Sequence, residues 1–139
     1  MTDAEWATIR KFTPDEFDAR DRMGVKIPGT GKAMDYAFVQ KLDRIRARVG
    51  FPVYIHSGIR TKERNEQVGG ADSSSHLDGH AADVEAIGSR NRFLIRKAAL
   101  AEGICRIGTG KTFLHLDDDP TKDQDVEWLY AENVTRIDA

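Results

Sequence analysis

From Met34 onward the apolar residues fall at Met34, Phe38, Leu42, Ile45 and Val49. That spacing predicts a helix with one buried stripe, and Gly50 follows as its stop. The stretch "FPVYI" at 51–55 switches to a β-type apolar run, read as a buried strand. "TKERNEQV" predicts a short helix capped by Thr61 and ended by Gly69-Gly70. "AADVEA" is short and strand-like. "SRNRFLIRKAALAEG" returns to a helical pattern, with Phe93, Leu94, Ala98 and Ala101 expected inward and Gly103 at the end. "CRIG" and "FLHLD" read as two strands around a "TGKT" turn. Nearer the start, "TPDEF" opens a helix, with Thr13 as N-cap, Pro14 at the first position and Glu16 closing a capping box. Helices and strands alternate irregularly. The fold class expected is α+β, a small antiparallel or mixed sheet flanked by helices.

Length and charge narrow this picture. The 139 residues predict a single domain over 1–139, large enough to bury a core without covalent staples. The net charge is −2 with both signs mixed, and no basic stripe argues for nucleic acid as a partner. No apolar run approaches the ~20 residues that cross a bilayer, so no membrane partner is expected. "MTDAEWATIRK" has no apolar core of a secretory signal. The lone Cys105 allows no intrachain disulfide and no multi-cysteine zinc pattern. It reads as a small core residue of a chain made in a reducing cytosol.

Two apparent motifs fail on context. "GTGKT" at 108–112 lacks the glycine a phosphate-binding loop needs five positions before Gly110, where Cys105 stands. It also leads into a strand pattern instead of a helix. "PGTGK" at 28–32 fails on the same grounds. The Asp117-Asp118-Asp119-Pro120 run lacks the alternating ligands of a calcium loop, and beyond Asp117 it reads as a solvated turn.

The histidines carry more. "SSSHLDGHAADVEA" at 73–86 places His76 and Asp83 seven positions apart around Gly79, which lets the chain fold back. His115 lies in the apolar strand pattern "FLHLD", where a buried imidazole needs partners. Two histidines and one carboxylate form a known catalytic zinc set that leaves a fourth position for water. Spacing alone leaves open whether these are a site or three unrelated polar residues.

"SSHLDGHAAD" at 74–83 fits the pattern S-x-H-x-x-G-x-A-x-D, with Ser74, His76, Gly79, Ala81 and Asp83 in register. With "SGIR" at 57–60, "RNEQVGGADSSSH" and the late "FLHLD", the chain resembles the M15 zinc peptidases. These are the D-Ala-D-Ala carboxypeptidases and murein endopeptidases, phage endolysins among them. The similarity runs from about Phe12 to Tyr130. It implies the α+β fold shared with hedgehog signalling domains, and Zn²⁺ held by His76, Asp83 and His115. It implies hydrolysis of peptidoglycan stem peptides or cross-links, and a setting in phage or prophage lysis. The protein would be made in the cytoplasm and reach the wall through a holin or inside a virion.

Better-known branches of that family carry a base two or three residues before the last zinc histidine. Phe113 and Thr112 stand there and cannot serve. Asp117 is the local substitute, since residues two apart in a strand share a face. It suits either the catalytic base or a partner that orients a ligand histidine. Arg60 suits a substrate carboxylate or a developing oxyanion, or else a fold-holding ion pair. Ser74 suits a contact to substrate or a turn cap. His56 is a candidate cleft-wall residue, and His80 sits at a variable, exposed position of the motif. Trp128 and Tyr130 are expected to pack the C-terminal strand. Two other functions fit the same residues: a non-enzymatic zinc-binding module of this fold, and a cytosolic D-Ala-D-Ala dipeptidase.

Overall fold

A computed structural model describes residues 1–134. The single domain expected over 1–139 therefore extends into five residues outside the described ones. Helix α1 spans Asp3–Trp6, α2 Tyr36–Val49, α3 Lys62–Gln67 and α4 Ser89–Ala101. Strands β1 Ile55–Ser57, β2 Ala81–Glu85, β3 Arg106–Thr109, β4 Phe113–Asp117 and β5 Val126–Leu129 form one sheet in the order β1-β2-β4-β3-β5. Every pairing is antiparallel except β3 with β5, so the sheet is mixed and the fold is α+β. Among the described residues no helix is long and apolar enough to cross a membrane.

The elements form where local chemistry favours them. Asp35 caps α2 by accepting from Phe38 N at 3.0 Å, and Gly50 ends the helix at φ 76°. Thr61 caps α3 in the same way, through Arg64 N at 3.1 Å. "TPDEF" makes only a 3-10 turn, Pro14–Phe17, with Glu16 accepting from Thr13 N at 2.7 Å. "FPVYI" yields a shorter strand than its composition implies, because pairing with β2 begins at Ile55. In α4 the buried side chains are Ile95, Ala98 and Ala99; Phe93 and Ala101 face solvent. The expected stripe is therefore rotated around the helix. Cys105 is only half-buried, just before β3, and is not a core residue.

Alternation within the strands divides the sheet into two faces. Ala82, Val84, Ile107, Leu114 and Leu116 join the inward residues of α2 and α4 in one buried cluster. Phe38, Val39, Leu42 and Ile45 come from α2, and Ile95, Ala98 and Ala99 from α4. Asp83, His115 and Asp117 have the opposite parity and project from the other face. That face carries polar chemistry instead of core.

Candidate metal centre

Strand register sets out the floor of the site. Ser57 pairs with Asp83, Asp83 with His115, His115 with Gly108, and Gly108 with Trp128. One row across the sheet thus puts Asp83 and His115 side by side, although 32 positions separate them. His76 reaches this row from a 3-10 turn, Ser75–Asp78. Ser74 caps the turn by accepting from His76 N at 3.3 Å. Gly79 ends it at φ 75°, and a Cβ there would lie 2.8 Å from Ala33 O. The left-handed conformation and the close approach to the α2 entrance both require glycine.

The three side chains converge. His115 Nδ1 lies 2.9 Å from Asp83 Oδ1, and His76 Nε2 lies 3.3 Å from Asp83 Oδ2. One ligand atom from each of the three falls within 4.8 Å of the others, and all three residues are buried. His76 Nδ1 is 2.8 Å from Gly58 O, an acceptor that puts the ring proton on Nδ1. Nε2 is then a lone pair facing the cluster, buried and without a hydrogen-bond partner. An orphan of this kind costs about 1–3 kcal/mol when nothing fills it. A divalent ion among the three would satisfy it, and an N,N,O donor set is one that zinc accepts.

The electrostatics agree with that use. Burial pushes His76 down to about 4, against the opposing pull of Asp83, so its imidazole is neutral at pH 7. Burial alone would raise Asp83, but the adjoining His76 and His115, the latter by a hydrogen bond, hold it well below the usual carboxylate range. His115 is disfavoured as a cation by burial, yet hydrogen bonds to Asp117 and Asp83 outweigh this and raise it. A metal ion and a proton compete for its Nδ1.

The remaining sequence candidates fall into separate places. Arg60 is buried, and its guanidinium donates to Asn65 Oδ1 at 3.1 Å, Ser57 Oγ at 3.1 Å and Asp83 Oδ2 at 3.3 Å. It stands behind the Asp83 carboxylate while also lining the cleft. Asp117 Oδ2 meets His115 Nε2 at 2.7 Å, and Asp117 Oδ1 meets Arg106 Nε at 2.6 Å. Burial would raise Asp117; the hydrogen bond from His115 and the Arg106 charge lower it. Ser74 both caps its turn and lines the cleft. His56 is not brought to the cleft: its Nε2 lies 3.3 Å from Glu85 Oε1. His80 is half-buried, bound to Asp118 Oδ1 at 2.8 Å.

The cleft over the triad has a volume of about 250 Å³. Its walls include residues that sequence reasoning did not assign to the site: Ser75, Arg106, Lys122, Trp128 and Tyr130. Trp128 packs its ring 5.3 Å from that of His115 and lies under the Arg106 guanidinium. A Cβ on Gly108 would sit 2.5 Å from Trp128 Nε1 and 2.6 Å from Tyr130 Cε2. The bare glycine lets both rings lie on the sheet beside the site. The signal in the sequence was a glycine inside a strand, which only the β3–β5 pairing connects to Trp128.

Comparison with known proteins gives two findings. The family model described as Peptidase M15 matches residues 10–117. A zinc D-Ala-D-Ala carboxypeptidase of Streptomyces albus G is 35% identical over 79 residues, 56% of this chain and 31% of that protein. The matched part thus spans about a third of that relative's length.

Proposed function

The chain belongs to the peptidase M15 family, and from that premise we propose that it is a zinc-dependent peptidase acting on the peptide stems or cross-links of peptidoglycan. The observation that carries this reading is the convergence of the His76 Nε2 lone pair, the Asp83 carboxylate and His115 Nδ1 under an open cleft. The relative from Streptomyces albus G is a zinc D-Ala-D-Ala carboxypeptidase, which supports both the metal and the substrate class.

His76, Asp83 and His115 would hold the ion. Zn²⁺ supplies Lewis acidity, which polarises a carbonyl and lowers the pKa of water. The chain's residues do the rest. Arg60 balances the buried charge of Asp83 and keeps its carboxylate aimed at the histidines. Gly58 O holds His76 in the tautomer that leaves Nε2 free. Arg106 and Lys122 place positive charge on the cleft wall, where an anionic peptide terminus or a developing oxyanion would lie. Trp128 and Tyr130 form an apolar wall on the β5 side, which screens that charge from water.

The test is digestion of purified sacculi, with mass spectrometry of the released muropeptides. Cleavage that stops with a zinc chelator and returns with added zinc is the expected result. A free D-Ala-D-Ala arm separates a dipeptidase from a wall enzyme. Lysis of intact cells from outside would extend the reading to a phage or prophage lytic role at the wall. A second reading, a zinc-holding binding module, has one observation in its favour. Asp117 is the one carboxylate among the described residues lining the cleft, and both its oxygens are engaged within the protein. Bound zinc with no cleavage of any wall peptide would select that module.

A further inference from the structure

We propose that Asp117 is a positioning residue, which keeps the proton on His115 Nε2 and so leaves Nδ1 as the nitrogen offered to an ion held with Asp83 and His76. The proposal rests on the reading of these three residues as a zinc site and assigns Asp117 a task other than taking a proton from water.

The geometry is specific. A carboxylate 2.7 Å from His115 Nε2 holds that nitrogen's proton, so Nδ1, on Asp83's side of the cluster, is the nitrogen that gives up its proton when an ion takes its lone pair. Nδ1 is the nitrogen that faces Asp83, at 2.9 Å. His76 is arranged in the mirrored sense: Gly58 O accepts from Nδ1, and Nε2 faces the cluster. One histidine thus ligates through Nε2 and the other through Nδ1, each held by an acceptor on its far side. A carboxylate in that position also makes the imidazole a more basic ligand than a carbonyl does.

Asp117 is in turn held. Its other oxygen accepts from Arg106 Nε at 2.6 Å and from Asp119 N at 3.3 Å. Arg106 is its direct partner across β3 and β4, and Arg106 is braced by the Trp128 ring and by Asp123 O at 2.5 Å. The side chain of Asp117 is 1% exposed. To turn toward a water in the cleft it would have to weaken its charge-assisted hydrogen bonds to His115 and Arg106, the strongest kind available to it. A base needs a free oxygen beside the reacting atoms; Asp117 instead has its oxygens on His115 and Arg106.

Three proteins decide the matter: wild type, Asp117→Ala and Asp117→Asn. Zinc affinity is read by competition with a chromophoric chelator, and the His115 ring by ¹⁵N NMR in the zinc-loaded state. Asn keeps an acceptor oxygen for Nε2–H but cannot act as a base. The proposal expects Asp117→Ala to weaken zinc binding by about 10–100-fold. It expects Asp117→Asn to recover most of that affinity, with His115 still protonated on Nε2 and muropeptide turnover retained at saturating zinc. Unchanged zinc affinity in Asp117→Ala overturns it. So does an Asp117→Asn protein that binds zinc like wild type yet loses turnover by about 10²–10⁴-fold, the signature of a lost base. If Asp117→Ala does not fold, the Asn variant alone carries both outcomes. Failure of wild type to bind zinc at all would instead sink the metal reading on which the proposal rests.

Discussion

Arg60 illustrates how single residues in this protein serve the site from behind. Its guanidinium is buried against Asp83, Asn65 and Ser57, and its backbone N donates to His76 O at 3.1 Å. It therefore ties the strand bearing Asp83 to the turn bearing His76. Removing one member of a buried ion pair strands the other charge, at a cost of about 3–5 kcal/mol. Arg60→Ala should lower the stability of the metal-free protein by that order. The loss should shrink in zinc, because a dication beside Asp83 compensates the same charge. Urea unfolding with a chelator and with excess zinc measures both. Equal losses in the two conditions would count against an ion near Asp83.

Elements meet the site at their ends, and the end of β4 shows how charge joins them. His80 binds Asp118 Oδ1 at 2.8 Å and lies 3.8 Å from Asp35, the cap of α2. Lys41 of α2 meets Asp118 Oδ2 at 2.9 Å. Backbone bonds run alongside, from Asp35 N to Gly79 O and from Asp118 N to His80 O. Burial would lower the His80 pKa, but the Asp118 hydrogen bond and the Asp35 charge raise it above the ordinary 6.5. A raised histidine binds its proton more tightly when folded. Its stabilisation is therefore complete below pH 6.5 and fades as pH rises through the folded value. His80→Gln should be less stable than wild type in mild acid and should converge with it at alkaline pH. Thermal melts across pH in the presence of a chelator read this directly. A constant difference at all pH values would contradict it.

Across the whole molecule, one sheet keeps core and chemistry on opposite faces. Leu116 and His115 are adjacent in β4 but point apart: Leu116 is fully buried in the helix-covered cluster, and His115 lies on the cleft floor. Leu116→Ala should cost about 2–5 kcal/mol, the usual range for emptying a core leucine site. Zinc stoichiometry should stay at the wild-type value while the protein is folded. Denaturant midpoints and metal analysis on the same samples test the separation. Loss of zinc in the folded variant would mean that the two faces are coupled.

The sequence by itself determined the elements whose signals are local. The periodic stripe and caps of α2, the Thr61 start of α3, the alternation in "FLHLD" and the glycine turn after His76 all act over a few residues, and all appear in the structure. The resemblance to the M15 zinc peptidases, carried by short motifs, also pointed to His76, Asp83 and His115; their spacing alone left the site open. Partners distant in the chain could not be read that way. Which face of α4 is buried, with Ile95 inward and Phe93 outward, depends on where the sheet lies. Whether Arg60 meets a substrate or Asp83, and whether Asp117 meets water or His115 and Arg106, depends on strand register. Trp128 reached the cleft only because β5 pairs parallel to β3 over Gly108. Register and sheet order are set by the joint burial of side chains from many segments, so no short stretch of sequence contains them.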